Sequence, residues 1–422
     1  MANPEAHPSE PFRLRSLVFS VYLPTVFFSI GQGAVIPAIP LFARELGASV
    51  AVAAFIVALR GIGQLIGDVP AGLAVSKWGD KGAMVAGTAL IGIVAIGASL
   101  SPTPLTLGLL VLVMGIGWSF WQIARLSYVS EAAPLEQRGR ALSMTGGMNR
   151  IGNFIGPAIG GFLGEYVGLE AAFMLQAVMG LAAAAMMFIV VRQTAVGQQM
   201  LGHGIRGRMV ETLSTHHEIY LRAGPPVIAL GVLRQARQVF LPLWGEQIGL
   251  GAGQIGLITS ASFFIDASIF YPVGLIMDTR GRKWVAVPCL VTMAAGLVIL
   301  PLTDTFTAFL IIGLLTGLGN GFGAGINMTL GADFAPDVGK GEFLGLWRLI
   351  SDVGQGGGPV VISAVTALAT LGAASVVTGG IGFAGAALML VFVPEPLKLN
   401  RARPVPRFLP AGPTGGNPTG SV

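Results

Sequence analysis

The chain has 422 residues, 53% of them hydrophobic and 11% charged, with 25 Lys and Arg against 20 Asp and Glu. A water-soluble protein carries about 25% charged residues, so this chain has too little polar side chain to cover a globule in water, and too much apolar side chain to be disordered. The single cysteine, Cys289, excludes a disulfide scaffold, and a net charge of +5 with no cluster of basic and aromatic residues gives no nucleic-acid surface.

A helix that crosses a bilayer needs about 20 mostly apolar residues. By that window the chain predicts twelve membrane helices, numbered here as spans 1 to 12. A cytoplasmic segment, 1–16, comes first. Spans 1 to 6 then cover 17–43, 50–75, 82–101, 105–130, 141–165 and 169–191, within an N-terminal bundle of residues 17–192. Residues 193–222 are polar and predict a cytoplasmic linker with a short amphipathic helix near Met209–Leu221. Spans 7 to 12 cover 224–246, 253–277, 284–303, 306–332, 341–371 and 373–393, within a C-terminal bundle of residues 223–394. Residues 395–422 are rich in Pro and Gly and predict a disordered cytoplasmic tail. Strand-period alternation is absent, which excludes a β-barrel. Span 1 reads as a retained helix rather than a cleaved signal, because it continues into a repeat.

That repeat has a constant offset of 202 residues. Pro40-Leu41-Phe42 matches Pro242-Leu243-Trp244, Pro70-Ala71-Gly72-Leu73 matches Pro272-Val273-Gly274-Leu275, and Gly156-Pro157 matches Gly358-Pro359. Two equivalent six-helix bundles in one orientation follow, related by an axis along the membrane normal. Eighteen Lys and Arg lie on one side of the predicted spans, and only Arg44 lies in the loops of the other. The positive-inside rule then places both termini in the cytoplasm.

Four stretches resemble the major facilitator superfamily of transporters. Gly274-Leu-Ile-Met-Asp278-Thr-Arg280-Gly281-Arg282-Lys283 is similar to its cytoplasmic signature, in which glycine lets helices approach and the Asp ties a helix end to basic loop residues. The equivalent Gly72-Leu-Ala-Val-Ser76-Lys77-Trp78-Gly79-Asp80-Lys81 has Ser76 where the family has Asp. Glu131-Ala-Ala-Pro134, followed by Arg138, is similar to a second cytoplasmic latch. Span 5 holds Gly152-Asn-Phe-Ile-Gly156-Pro157-Ala-Ile-Gly160-Gly161, which resembles a signature of the twelve-helix drug–proton antiporters; glycine every fourth residue bares a helix face for packing. The resemblance implies an all-α membrane protein of twelve helices, a small-molecule substrate, a proton as coupling ion, and a monomer in the plasma (inner) membrane. Span 4 lacks the family's Arg before Gly115, and span 1 has no acidic residue.

Ionisable residues inside spans are costly and mark pathways. Arg60, Gln64 and Asp68 form one stripe on span 2, and Arg348 and Asp352 an i, i+4 pair on span 11. Arg150 on span 5 and Asp266 on span 8 lie at matching depths. In the resembled fold spans 2 and 11 face each other, as do 5 and 8. Proton coupling or gating is therefore expected at Asp68, Asp266, Asp352, Arg60, Arg150 and Arg348, either as contacts between the halves or as pairs that fix packing within one half. Gln32, Gln64, Trp121, Arg125, Arg234, Gln235, Arg237 and Asn327 are candidates for a substrate cavity, with helix packing as the alternative. All four histidines lie outside the spans, so a histidine relay in the membrane is excluded, and neither a metal nor a cofactor is expected. No ATP-binding motif is present, which leaves a gradient as energy source. The leading expectation is proton-coupled export of small amphipathic compounds. Uptake of a metabolite such as an organic acid or sugar, and a transporter-like sensor or scaffold, remain as alternatives; an enzyme is not expected.

Overall fold

The computed structural model describes residues 17–191, 211–336 and 339–395. The expected N-terminal segment, residues 192–210 of the linker region and the tail from 396 lie outside the described residues. Among the described residues there are helices and no strands.

Span 1 opens with a π-helical turn, Val18–Tyr22, and continues as Leu23–Glu45. Spans 2 and 3 run as Val50–Ser99, which turns back at Gly79. There φ is 74°, a left-handed conformation that glycine adopts without a Cβ penalty. Spans 4, 5 and 6 are Pro104–Ala132, Leu135–Tyr166 and Glu170–Val190. The amphipathic helix expected in the linker is, within the described residues, one helical turn at 211–215 that breaks at His216. Span 7 is His217–Gln247, and so begins well before its apolar stretch. Span 8 is split into Ala252–Ser268 and Phe270–Thr279, and span 10 into Phe306–Phe322 and Ile326–Phe334. Spans 9, 11 and 12 are Lys283–Ile299, Lys340–Leu368 and Leu371–Phe392.

Eight of these helices are long and apolar enough to cross a membrane, and Val50–Ser99 does so twice because of its turn. Spans 5, 7 and 11 fall short of that measure. They carry Arg150, Arg234 with Arg237, and Arg348 with Asp352. Their place in the bundle explains this: all three lie along the seam between the halves, where polar groups find partners instead of lipid.

The 202-residue repeat governs packing as well as sequence. Gly115 of span 4 lies against the Arg60 carbonyl of span 2, and its equivalent Gly317 lies against the carbonyl of Ser262, the equivalent of Arg60. Gly156 packs on Ile30, Gly33 and Ala34 of span 1, and its equivalent Gly358 packs on Val232 of span 7. Gly152 and Gly160 extend the same span 5 to span 1 contact, while Gly161 turns the other way, towards span 8. A methyl group on Gly161 would sit 2.8 Å from the Gly256 Cα. The span 5 motif therefore serves two close approaches, one within its half and one across the seam.

The face of Arg44 and Glu246 is called upper here, and that of Leu17 and Glu395 lower. At the upper face the halves are sealed. Arg44 Nε lies 3.2 Å from Glu246 Oε1, the Gly253 N–H donates to Glu165 (2.7 Å), and the Ser363 hydroxyl donates to the Ala51 carbonyl (2.8 Å). About two to three turns below, Gly61 meets Gly356 so closely that a methyl on Gly61 would stand 2.8 Å from the Gly356 Cα. At the lower face the helices part: a Cβ added at Gly72, Gly146, Gly274 or Gly341 would meet nothing within 4 Å.

Candidate functional site

Below the upper seal the seam encloses a cavity of about 160 Å³. Carboxamides dominate its wall. Gln32, Gln64, Asn149 and Asn153 come from spans 1, 2 and 5 of the first half. Gln235, Gln238 and Gln355 come from spans 7 and 11 of the second. Trp118, Phe263, Ile36, Ile39, Val57 and Gly61 supply the apolar part, and Arg60 is the only charged residue in the wall. The Arg60 guanidinium donates to the Gln32 Oε1 (2.6 Å) and lies over the Trp118 ring, 5.3 Å from its centroid.

Two charge clusters border this cavity. On the seam of spans 5 and 8, Arg150 donates to Asp266 Oδ1 at 2.9 Å, so the contact joins the two halves. The same carboxylate stands 3.8 Å from Arg237 of span 7 and accepts from the Asn320 amide of span 10 at 2.6 Å. Asp266 is 8% exposed, and four spans thus converge on one buried carboxylate. Arg150 also covers the Phe270 ring, and Arg237 the Phe263 ring. On the seam of spans 2 and 11, Arg348 lies 3.7 Å from Asp68 in the other half and 3.5 Å from Asp352 on its own helix. Gln355 donates to Asp352 (3.0 Å). Asp68 follows the cavity residue Gln64 by one helical turn and Asp352 precedes Gln355 by about one, so this cluster sits at the lower rim.

The remaining expected residues divide plainly. Gln32, Gln64 and Gln235 line the cavity. Arg60, expected at a gate, lines it as well. Trp121, Arg125, Arg234, Arg237 and Asn327 do not. Arg234 donates to the Gly323 carbonyl (2.5 Å) at the break in span 10. The Ile326 N–H also donates to that carbonyl (3.2 Å), so Arg234 adds a second donor where span 10 is interrupted. Arg237 donates to Ser262 (3.0 Å) and belongs to the Asp266 cluster. Arg125 stacks on Trp121 (3.8 Å) and donates to Gln122 (2.7 Å). Asn327 donates to Ser351 and accepts from Trp347, which ties spans 10 and 11 together. The expectation that these five face the cavity is corrected: none lies in its wall, and Arg125, Arg234, Arg237 and Asn327 bond neighbouring helices or their own helix instead.

The expected latch needs a similar correction. Asp278 is exposed and makes no ion pair among the described residues. The neighbouring Arg282 turns inward and pairs with Asp333 at the end of span 10 (2.6 Å), and Glu395 accepts from the Arg282 and Lys283 N–H groups at 2.8 and 3.0 Å. Gly72 and Gly274 touch no neighbour because the halves part at the lower face. In the first half, the Ser76 hydroxyl bonds its own helix at Leu73, Asp80 is buried beside the turn at Gly79, and Glu131 and Arg138 flank the junction of spans 4 and 5.

Four cavity amides were not singled out by sequence reasoning: Asn149, Asn153, Gln238 and Gln355. The available signal was their spacing. Asn149 and Asn153 are i, i+4 on one face of span 5, and Gln235 and Gln238 are i, i+3 on span 7.

This architecture has relatives. The sequence profile of the Major Facilitator Superfamily matches residues 21–234 and 226–413, nearly the whole chain. The chain belongs to the major facilitator superfamily. Like other members of the superfamily it is a transporter rather than an enzyme, an integral membrane protein with a small-molecule substrate. An uncharacterized MFS-type transporter of Methanocaldococcus jannaschii is 20% identical over 347 residues, covering 81% of this chain and 89% of its own. Multidrug resistance protein 2 of Bacillus subtilis is 24% identical over 360 residues, covering 76% and 88%. Among solved structures, a D-xylose–proton symporter aligns with a TM-score of 0.69 at 16% identity, covering 91% of this chain and 98% of its own. A nucleoside transporter aligns with a TM-score of 0.74 at 14% identity, covering 88% and 99%. At such identities these structures establish the superfamily fold and nothing about the substrate of this transporter.

Proposed function

We propose that this transporter is a proton-coupled exporter of small compounds that works by alternating access, with both termini in the cytoplasm. The observation that carries the reading is the pair of charge clusters at the two seams, each joining the halves beside a central cavity with a sealed upper side. A transporter built from two repeats exposes its site by rocking one half against the other. A contact across the seam favours one arrangement, and removing its charge releases it. Asp266 suits this role best. A proton on its carboxylate removes the charge that holds Arg150 across the seam and Arg237 within the half. Asp68 and Asp352, sharing Arg348, serve the second seam in the same way.

Export is supported by the similarity to multidrug resistance protein 2 and by the span 5 glycine–proline motif. The cytoplasmic placement of the termini is supported by the Lys and Arg asymmetry. Inverted membrane vesicles with an acid-inside gradient test the reading. Compounds that are exported collapse the gradient only in vesicles carrying this chain, and Asp266→Asn abolishes the collapse. A gradient untouched by every compound would refute proton-coupled export. The amide wall of the cavity favours a second reading, uptake of a polar metabolite, and counterflow in right-side-out vesicles separates the two.

A further inference from the structure

The cavity wall contains one cation and no carboxylate. Asp68, Asp266 and Asp352 all lie outside the wall, and each is held by arginine. A cationic solute would find no counter-charge here. Arg60, by contrast, is a charge without an acid. Its Nη2 donates to Gln32, and its Nε and Nη1 make no hydrogen bond among the described residues. Asp68, the acid on its own helix, is eight residues away, about 12 Å along the axis, and is engaged by Arg348. Nη2 carries a second hydrogen besides the one given to Gln32, and that hydrogen together with a neighbouring N–H of Nε or Nη1 is the fork that recognises a carboxylate in bidentate fashion.

The amides complete the description. A carboxamide donates and accepts at once, so it pairs with hydroxyl and carbonyl groups and has no preference for net charge. Gln64, Gln235 and Gln238 make no side-chain hydrogen bond among the described residues, which leaves their capacity to an occupant. These three come from both halves. A solute with several hydroxyls would bond both sides of the seam, so its arrival would draw the halves together. The cavity, at about 160 Å³, is smaller than the roughly 300 Å³ where drug-sized pockets begin.

We infer that the cavity binds a small monocarboxylate bearing hydroxyl or carbonyl groups, with its carboxylate on Arg60 and its hydroxyls on the amide wall. This rests on the transporter reading and names the substrate class of its site.

The test uses the full chain, purified in detergent for thermal-shift titration and reconstituted in liposomes for flux. The probes are lactate, glycerate and gluconate, the neutral glycerol and glucose, and the cations ethidium and tetraphenylphosphonium. The carboxylates raise the unfolding midpoint, gluconate and glycerate above lactate, and the cations do not. Arg60→Gln weakens carboxylate binding at least tenfold and glucose binding far less, while Arg60→Lys restores part of the loss. Gln238→Ala weakens gluconate more than lactate. A merely structural Arg60 would lower the midpoint and weaken every ligand alike, and that result overturns the inference. So does stabilisation by the cations with Arg60→Gln indifferent, or stabilisation by no carboxylate at all. Two outcomes separate this inference from the reading beneath it. Cations that bind and exchange for protons leave the transporter reading standing and remove the monocarboxylate. Carboxylates that bind through Arg60 without flux under any gradient keep the cavity assignment and remove proton-coupled export.

Discussion

Asp266 faces two guanidiniums, and only one of them belongs to its own half. Arg237 and Asn320 hold the carboxylate in place within the C-terminal bundle, and Arg150 reaches it from the other side of the seam. Removing either partner breaks the contact across the seam: without Asp266, Arg150 loses its acid, and without Arg150, Asp266 keeps only the partners of its own half. Arg150→Ala and Asp266→Asn should therefore each widen the distribution of spin-label distances across the lower face, and the double variant should widen it little further. The expected coupling is about 0.5–3 kcal/mol, the range for residues in one network; additive effects would show that the two act separately. Arg234 gives a contrasting case. Its bond to the Gly323 carbonyl is structural, and that carbonyl keeps the Ile326 N–H when the arginine is removed, so Arg234→Ala should cost about 0.5–1.5 kcal/mol for one lost hydrogen bond, read as a lower unfolding temperature. Charged residues were easy to find in the sequence because charge is rare in a span. Their roles were less legible. Arg234 and Arg60 read alike as cations at depth, yet one fills a break in a neighbouring helix and the other faces the cavity. The amides went largely unnoticed because uncharged polar residues in a span carry so weak a signal.

At the scale of the helix, glycine position decides what can move. Gly156 lies in backbone-to-backbone contact with span 1, so Gly156→Leu should drive spans 1 and 5 apart and abolish accumulation of folded protein in the membrane. Gly72 and Gly274 occupy open space at the lower face. Gly72→Ala should leave the yield and unfolding temperature of the isolated protein unchanged; a loss of stability would mean that the lower ends are closed at rest. The spans, the order of the elements and the 202-residue repeat were legible because a bilayer imposes a length and because duplicated packing keeps duplicated glycines. The breaks in spans 8 and 10 were less so. Glycine density announced bending in span 10, where Gly325 takes a φ of 76°. The break in span 8 falls at Ile269, where Pro272 has no N–H to give the Ser268 carbonyl and its ring crowds that carbonyl; the equivalent Pro70 lies in a helix that is unbroken at that point, so the proline alone did not announce the break.

For the whole molecule, the arrangement in this structure is a sealed upper face over parted lower ends. A short thiol crosslinker joining Arg44→Cys to Glu246→Cys should lock that face and stop flux, and reduction should restore it. Cys289 is fully buried and should not compete for the reagent. Exchanging the charges, with Arg44→Glu and Glu246→Arg together, should preserve flux that either change alone reduces. No pattern in the sequence announced this seal, because it depends on how the two bundles dock and not on either bundle.

Arg44 and Glu246 are 202 residues apart, so they are one position written twice, and the pseudo-twofold axis passes between them. In a dimer of identical bundles, any residue at such a self-facing site meets its own copy. A basic residue would face a basic one, an acid an acid. Opposite charges become available only when the two copies are free to differ. The upper ion pair is thus something that two identical bundles are forbidden by symmetry, and it requires that the two copies differ in sequence.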